Sequence, residues 1–177
     1  PEGVTVDETP LTIGVKPRQD LQVTSITAPA TVDPEGSLSV EFVIVNQGTV
    51  ATTRAHWVDR VYLSLDDQIG GSDLLIDTMA NQSALGPGES YLSVSATGIV
   101  PRHFRGDMFV LVQTDAYGQM NEWPNEGNNV LAMPIHVMEM PLADLVVSDV
   151  VVPSQAIAGS EIEIRFTVTN LGAGETD

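Results

Sequence analysis

Between residues 115 and 129 the chain reads Asp-Ala-Tyr-Gly-Gln-Met-Asn-Glu-Trp-Pro-Asn-Glu-Gly-Asn-Asn. This run concentrates side-chain oxygens on a stretch rich in turn formers. Calcium takes about six to eight oxygens at about 2.3–2.6 Å, and carboxylates with amide carbonyls clustered on a turn can supply them. Asp115, Glu122, Asn125 and Glu126 are the candidate ligands. Their spacing is not that of an EF-hand loop, so the pattern does not by itself identify the ion. A structural reading is equally physical: Asp and Asn side chains bond to nearby backbone groups, and Asn tolerates left-handed conformations. Both readings stand at this point. Within the same segment Tyr117 and Trp123 are candidate ligand-binding aromatics, with a glycan as the ligand class.

A second acidic loop, Asp66-Asp67-Gln-Ile-Gly-Gly-Ser-Asp73, reads as a solvated hairpin loop or as another cation site. Its three carboxylates repel one another unless a metal or an arginine offsets them, and Arg60 is the expected partner. Pro101-Arg102-His103-Phe104-Arg105-Gly106 is a basic island, read as a turn or as a patch that docks another acidic unit.

Catalytic patterns are missing. The three histidines are scattered, with neither a His-Glu-x-x-His motif nor a short zinc-binding pair. No Gly-x-Ser-x-Gly elbow is present. Carboxylates are abundant enough for a glycosidase pair, but nothing marks a cleft between two of them. The reading is a noncatalytic chain with no required cofactor, calcium being the one candidate.

Charge narrows the partners. Twenty-four Asp and Glu face seven Lys and Arg, a formal net charge of −17, and Lys16 is the one lysine. Such a surface repels phosphate backbones and anionic lipids, which excludes nucleic acid as a partner class. No apolar run approaches the roughly 18–20 residues that span a bilayer, so no membrane insertion is expected within this segment. Cysteine is absent, so packing alone must hold the fold.

The elements that carry these loops follow a period of two. Leu38, Val40, Phe42 and Ile44 alternate with Ser39, Glu41 and Val43, the pattern of a half-buried strand ending at Asn46-Gln47-Gly48. Further strands are expected at about 20–27, 56–65, 73–78, 89–97, 107–115 and 129–138. Between them lie turn signals such as Asp33-Pro34-Glu35-Gly36 and Gly86-Pro87-Gly88-Glu89. About seven short strands spaced by turns predict an all-β, immunoglobulin-like Greek-key sandwich of two antiparallel sheets. Trp57, alternating with Val61 and Leu63, is expected in its core.

The opening of this pattern occurs twice. Asp20-Leu21-x-Val23 with Pro29 and Phe42-x-x-Val45-Asn46-x-Gly48 recurs as Asp144-Leu145-x-Val147 with Pro153 and Phe166-x-x-Thr169-Asn170-x-Gly172, a constant offset of 124 residues. Carried backwards, the offset sets Pro17 on Pro141, Val6 on Val130 and Glu2-Gly3 on Glu126-Gly127. The expected organisation is the closing strand of one repeat at 1–17, a complete repeat at 18–140, and the opening strands of a third at 141–177. Pro17 and Pro141 stiffen the joints.

These residues resemble the CARDB family, the cell-adhesion-related domain found in bacteria. The resemblance rests on Asp20-Leu21-x-Val23 with Pro29, Phe42-x-Ile44-x-Asn46-x-Gly48, Val61-Tyr62-Leu63-Ser64 with Asp66, Leu85-x-Pro87-Gly88-Glu89, and Glu122-x-x-Asn125-Glu126-x-Asn128-Asn129. It implies an immunoglobulin-like sandwich arranged in series in large secreted or surface-anchored proteins, and it brings no catalytic residues. The N-terminal copy departs from the last motif, with Val4 and Thr5 where Asn128 and Asn129 stand. The expected role is a stalk or spacer in adhesion or surface assembly, outside the cell or on its surface. Its partners would be neighbouring repeats and a glycan or surface protein. The alternatives are a glycan- or protein-binding module, or an accessory domain of a secreted hydrolase.

Overall fold

The computed structural model describes residue 14 and residues 16–176, and the side chains of all of these except 96 and 97. The expected closing strand of a preceding repeat, at 1–17, therefore lies almost wholly outside the described residues. Ten strands follow one another: β1 (Leu21–Thr27), β2 (Thr31–Val32), β3 (Ser37–Asn46), β4 (Trp57–Ser64), β5 (Leu74–Asn81), β6 (Ser90–Ile99), β7 (Gly106–Gln113), β8 (Val130–Val137), β9 (Leu145–Val151) and β10 (Arg165–Asn170). No helix occurs among the described residues.

The first eight strands form two layers. One sheet has the order β1-β3-β6 and the other β2-β8-β7-β4-β5. All pairs are antiparallel except β2 with β8, which is parallel. The chain crosses repeatedly between the sheets, first past Pro29 from β1 to β2, then back to β3 and again to β6, and the two layers make an immunoglobulin-like sandwich.

Alternation explains the core. Along β3 the side chains of Leu38, Val40, Phe42 and Ile44 are buried, whereas Ser39 and Glu41 are exposed. Facing them, β4 supplies Trp57, Val61 and Leu63, and β7 supplies Met108, Val110 and Val112. Each such side chain contributes about 1.5–3 kcal/mol on full burial. Every fully buried member of the cluster lies between Leu21 and Val137, so this segment carries a complete core of its own.

The remaining strands, β9 and β10, form a separate antiparallel hairpin. Its register matches that of the β1–β3 pair: Leu21 faces Asn46 and Val23 faces Ile44, as Leu145 faces Asn170 and Val147 faces Val168. Both hairpins shift register farther along. Their surroundings differ. Leu21 and Phe42 are at most 1% exposed, whereas their counterparts Leu145 and Phe166 are 58% and 59% exposed.

Candidate functional site

The acidic segment after β7 packs against the incoming linker, and the contacts between them form the most developed polar cluster of the molecule. The linker enters as Arg18-Gln19-Asp20 and becomes β1 at Leu21. Leu21 N–H donates to Glu122 Oε1 at 2.5 Å, and Asn129 Nδ2 donates to Glu122 Oε2 at 2.7 Å. Asp20 accepts from Asn125 Nδ2 at 3.2 Å and from Asn128 Nδ2 at 3.0 Å. Gln19 bridges the next loop by accepting from Thr53 N–H at 2.6 Å. The Arg18 guanidinium lies over the Trp123 ring, 5.1 Å from its centroid.

From the other side the linker is held by the end of β3. Asn46, fully buried, accepts from Asp20 N–H and Gly48 N–H through Oδ1, both at 3.0 Å. Through Nδ2 it donates to the carbonyls of Val50 and Leu85. Gln47 N–H donates to the Asp20 carbonyl at 2.7 Å. Gly48 is required because a Cβ there would run into the Arg18 carbonyl and Gln19 Cα. Four of these bonds recur at the matching residues near the C-terminal end, one of them from Asn170 Nδ2 to the Gly174 carbonyl, as from Asn46 Nδ2 to that of Val50. Asn170 Oδ1 accepts from Asp144 N–H and Gly172 N–H, and Leu171 N–H donates to the Asp144 carbonyl.

The four calcium candidates thus share one loop, and their polar atoms are engaged there with separate partners. Asp115 accepts from the N–H groups of Gln119 and Met120, and Glu126 Oε1 accepts from Glu122 N–H. Glu122 and Asn125 reach the linker as described. Among the described residues no group of three or more His, Cys, Asp or Glu side chains converges so as to hold a metal ion. Two carbonyl oxygens of the loop, Asn128 Oδ1 and Asn129 Oδ1, are buried and have no hydrogen-bond partner. Burial pushes the Glu122 carboxyl up to about 7, aided by the charges of Asp115 and Glu126 and opposed by the bonds from Leu21 and Asn129. Burial raises Asp115 as well.

The Asp66, Asp67 and Asp73 side chains cap their own exposed hairpin loop. Asp66 accepts from Gln68 N–H, Asp67 from Gln68 Nε2 and Asp73 from Gly70 N–H. Arg60, expected to neutralise them, stacks instead on Tyr117, 4.5 Å from the ring centroid, and donates to its hydroxyl at 2.5 Å. The two aromatic candidates are exposed, Tyr117 at 59% and Trp123 at 65%, and each has one ring face covered by a guanidinium.

One polar constellation escaped the sequence reading. Asp59 points inward between Trp57 and Val61 and is 1% exposed. It accepts a very short hydrogen bond from the Tyr91 hydroxyl and one of 2.7 Å from Thr114 Oγ1. Trp57 Nε1 donates to the Tyr91 oxygen at 3.0 Å. Burial raises the Asp59 carboxyl above its usual range, and burial with the nearby Asp59 charge raises Tyr91. An acid standing between two core residues on a strand of period two was the available signal. The network ties β4 to β6 across the sandwich.

Comparison with known proteins places these features in a family. The CARDB family model matches residues 18–133. Among solved structures, the chain is similar to the CARDB domain of a Pyrococcus furiosus protein, crystallised in complex with di-metal ions. The identity is 21%, the TM-score 0.53, and the match covers 71% of this chain and 99% of that one. The solution structure of that domain matches at 22% identity and a TM-score of 0.51, covering 70% and 98% of the two chains. A domain of a proposed cell-surface protein from Methanosarcina acetivorans matches at 24% identity and a TM-score of 0.47, covering 69% and 94%. No curated protein matches the chain.

Proposed function

Because the chain belongs to the CARDB family, we propose that it is a noncatalytic structural module of a large secreted or surface protein, a spacer that holds its neighbours at a fixed angle in adhesion or surface assembly. In this reading residues 18–140 are one complete unit, 141–177 begin the next, and 1–17 end the one before. The single observation that carries it is the linker clamp. Residues 18–21 are fastened by Asn46 on one side and by Glu122, Asn125 and Asn128 on the other. The Asn46 half of that arrangement recurs at Asn170. A joint whose backbone donors and acceptors are satisfied by folded loops behaves as a bracket and not as a flexible tether. The guanidinium cover on Tyr117 and Trp123 favours this reading over a glycan-binding one, since it occupies ring surface on which a sugar would stack.

Small-angle scattering tests the proposal on two copies of residues 16–139 joined in series. The expected maximum dimension is about twice that of one copy, as in other stacked repeats. A compact particle, or one that samples many lengths, sinks the spacer. Calcium is not needed to close the clamp, so the melting midpoint is expected to stay unchanged in millimolar calcium. A rise would follow from ion binding to the folded state, and loss of that rise in Glu126→Ala would locate the ion on the 115–129 loop. The relative from Pyrococcus furiosus was crystallised in complex with di-metal ions, which makes this titration the direct test of an ion on the 115–129 loop.

A further inference from the structure

Two clefts in this molecule occupy equivalent places one unit apart. The first, of about 290 Å³, is lined by Lys16, Pro17, Arg18, Val50 and neighbouring residues. The second, of about 330 Å³, has Met140, Pro141 and Gly174 on one wall. Moved back by the repeat offset, these three fall on Lys16, Pro17 and Val50. The backbone agrees, since Val50 N–H donates to the Arg18 carbonyl at 3.3 Å and Gly174 N–H to the Leu142 carbonyl at 3.0 Å. Each cleft is therefore the same hollow between a linker and the turn that follows the strand ending in Asn46 or Asn170.

The second cleft also has a far wall. Glu35 and Arg102 stand there, on the β2–β3 and β6–β7 turns of the central sandwich. Those turns are one rim, because Glu35 N–H donates to the Val100 carbonyl at 2.7 Å and Val100 N–H to the Gly36 carbonyl at 3.1 Å. The first cleft has no such wall among the described residues. Its charge differs from that of the second: Lys16 and Arg18 stand where Met140 and Leu142 stand, and Ala51 where Glu175 stands. Two of the chain's seven cations thus sit within three residues on a molecule of net charge −17. Arg18 is already held over Trp123, so its charge is positioned before any partner arrives. The rim at the opposite end of the sandwich begins Asp33-Pro34-Glu35-Gly36, with Asp33 and Glu35 exposed.

The geometry points to the Lys16–Arg18 cleft as a docking site for the acidic β2–β3 turn of another copy of this repeat, the one that precedes it in the series. This rests on the tandem reading above and adds to it the surface and the charges that set the angle between units. The basic cleft and the acidic β2–β3 turn, with Arg102 beside that turn, lie at opposite ends of one sandwich, so the pairing is head to tail, sets Lys16 against Glu35, and propagates along a row of copies. Charge of opposite sign fixes the register of such an interface and is weakened by salt.

The test uses the two-copy protein of residues 16–139, in which Lys16 of the second copy follows Glu139 of the first and the repeat spacing is preserved. Each copy contains the whole core. The chain has no cysteine, so Thr78→Cys in each copy places one spin label per unit on the exposed side of β5. Pulsed electron spin resonance then reads the distance between units. One narrow maximum is expected. Lys16→Glu in the second copy alone, or Glu35→Lys in the first copy alone, should lose it, and the two together should restore it. A broad distribution in the unmodified pair overturns the docking site, as does a narrow one indifferent to both charge reversals. Amide spectra separate this failure from failure of the tandem reading. Two copies that reproduce the single-copy spectrum still fold as units in series whatever the distance shows, whereas a changed core spectrum refutes the series itself.

Discussion

Glu122 shows how far a residue's role can lie from what its type suggests. In the sequence it is one acid among several in a loop that could bind calcium, and only coordinates reveal that its oxygens hold Asn129 of its own loop and Leu21, 101 residues away along the chain. Its environment has a thermodynamic consequence. The folded carboxyl is raised from 4.5 to about 7, chiefly by burial, so the folded state binds the proton more tightly than the unfolded chain. The stability linked to this group is complete below pH 4.5 and is lost as pH rises through about 7, an effect on the order of 1–3 kcal/mol. Burial raises Asp59 and Asp115 too, which gives the same sign. Thermal melting is therefore expected to show a higher midpoint near pH 5 than near pH 7.5. In Glu122→Gln the slope across this interval should flatten. The glutamine amide can be accommodated because Asn129 Oδ1, unpartnered in the native loop, becomes its acceptor when the Asn129 amide turns over. A slope unchanged in the variant would refute the assignment.

At the level of elements, legibility followed the alternation of side chains. Strands expected at 20–27, 56–65, 89–97, 107–115 and 129–138 are found as β1, β4, β6, β7 and β8 with ends moved by one or two residues. The short β2 was not foreseen. Two residues carry no period, and its place between Pro29 and Pro34 reads as a turn; it exists because β8 offers a free edge to pair with. β5 runs to Asn81, three residues beyond its expected end, because its last residues pair with the start of β4. The Asn46–Gly48 corner is the element through which sequence and joint geometry meet. Gly48→Ala should cost about 1–3 kcal/mol by overpacking, since the obstacle is the linker backbone itself. Chemical denaturation measures the loss, and amide shifts confined to Arg18–Leu21 would trace it to the clamp. A neutral result would mean that the linker yields freely, contrary to a rigid joint.

Across the whole molecule the contrast between the two hairpins decides what is self-sufficient. The central sandwich buries both ends of its pattern, while β9 and β10 leave Leu145, Val147, Phe166 and Val168 about half exposed. An apolar surface of this extent attracts partners or dyes. A fragment of residues 16–177 is expected to enhance the fluorescence of an anilinonaphthalene dye, and removal of residues 141–177 should abolish the signal while the melting midpoint of the sandwich stays put. A midpoint that falls with the truncation would mean that the hairpin supports the core. A last consequence follows from the parallel pairing of β2 with β8, where Thr31 faces His136 and Val32 faces Val137. The chain enters through β1 in one sheet, continues into β2 in the other, and there runs beside and in the same direction as β8, the strand by which it leaves. Tension applied between the two ends drags these strands lengthwise past each other, so His136 N–H to Ala30 and Met138 N–H to Val32 are loaded together and must rupture in shear instead of peeling apart singly. A pull along the chain therefore meets resistance from both bonds at once before this sandwich opens.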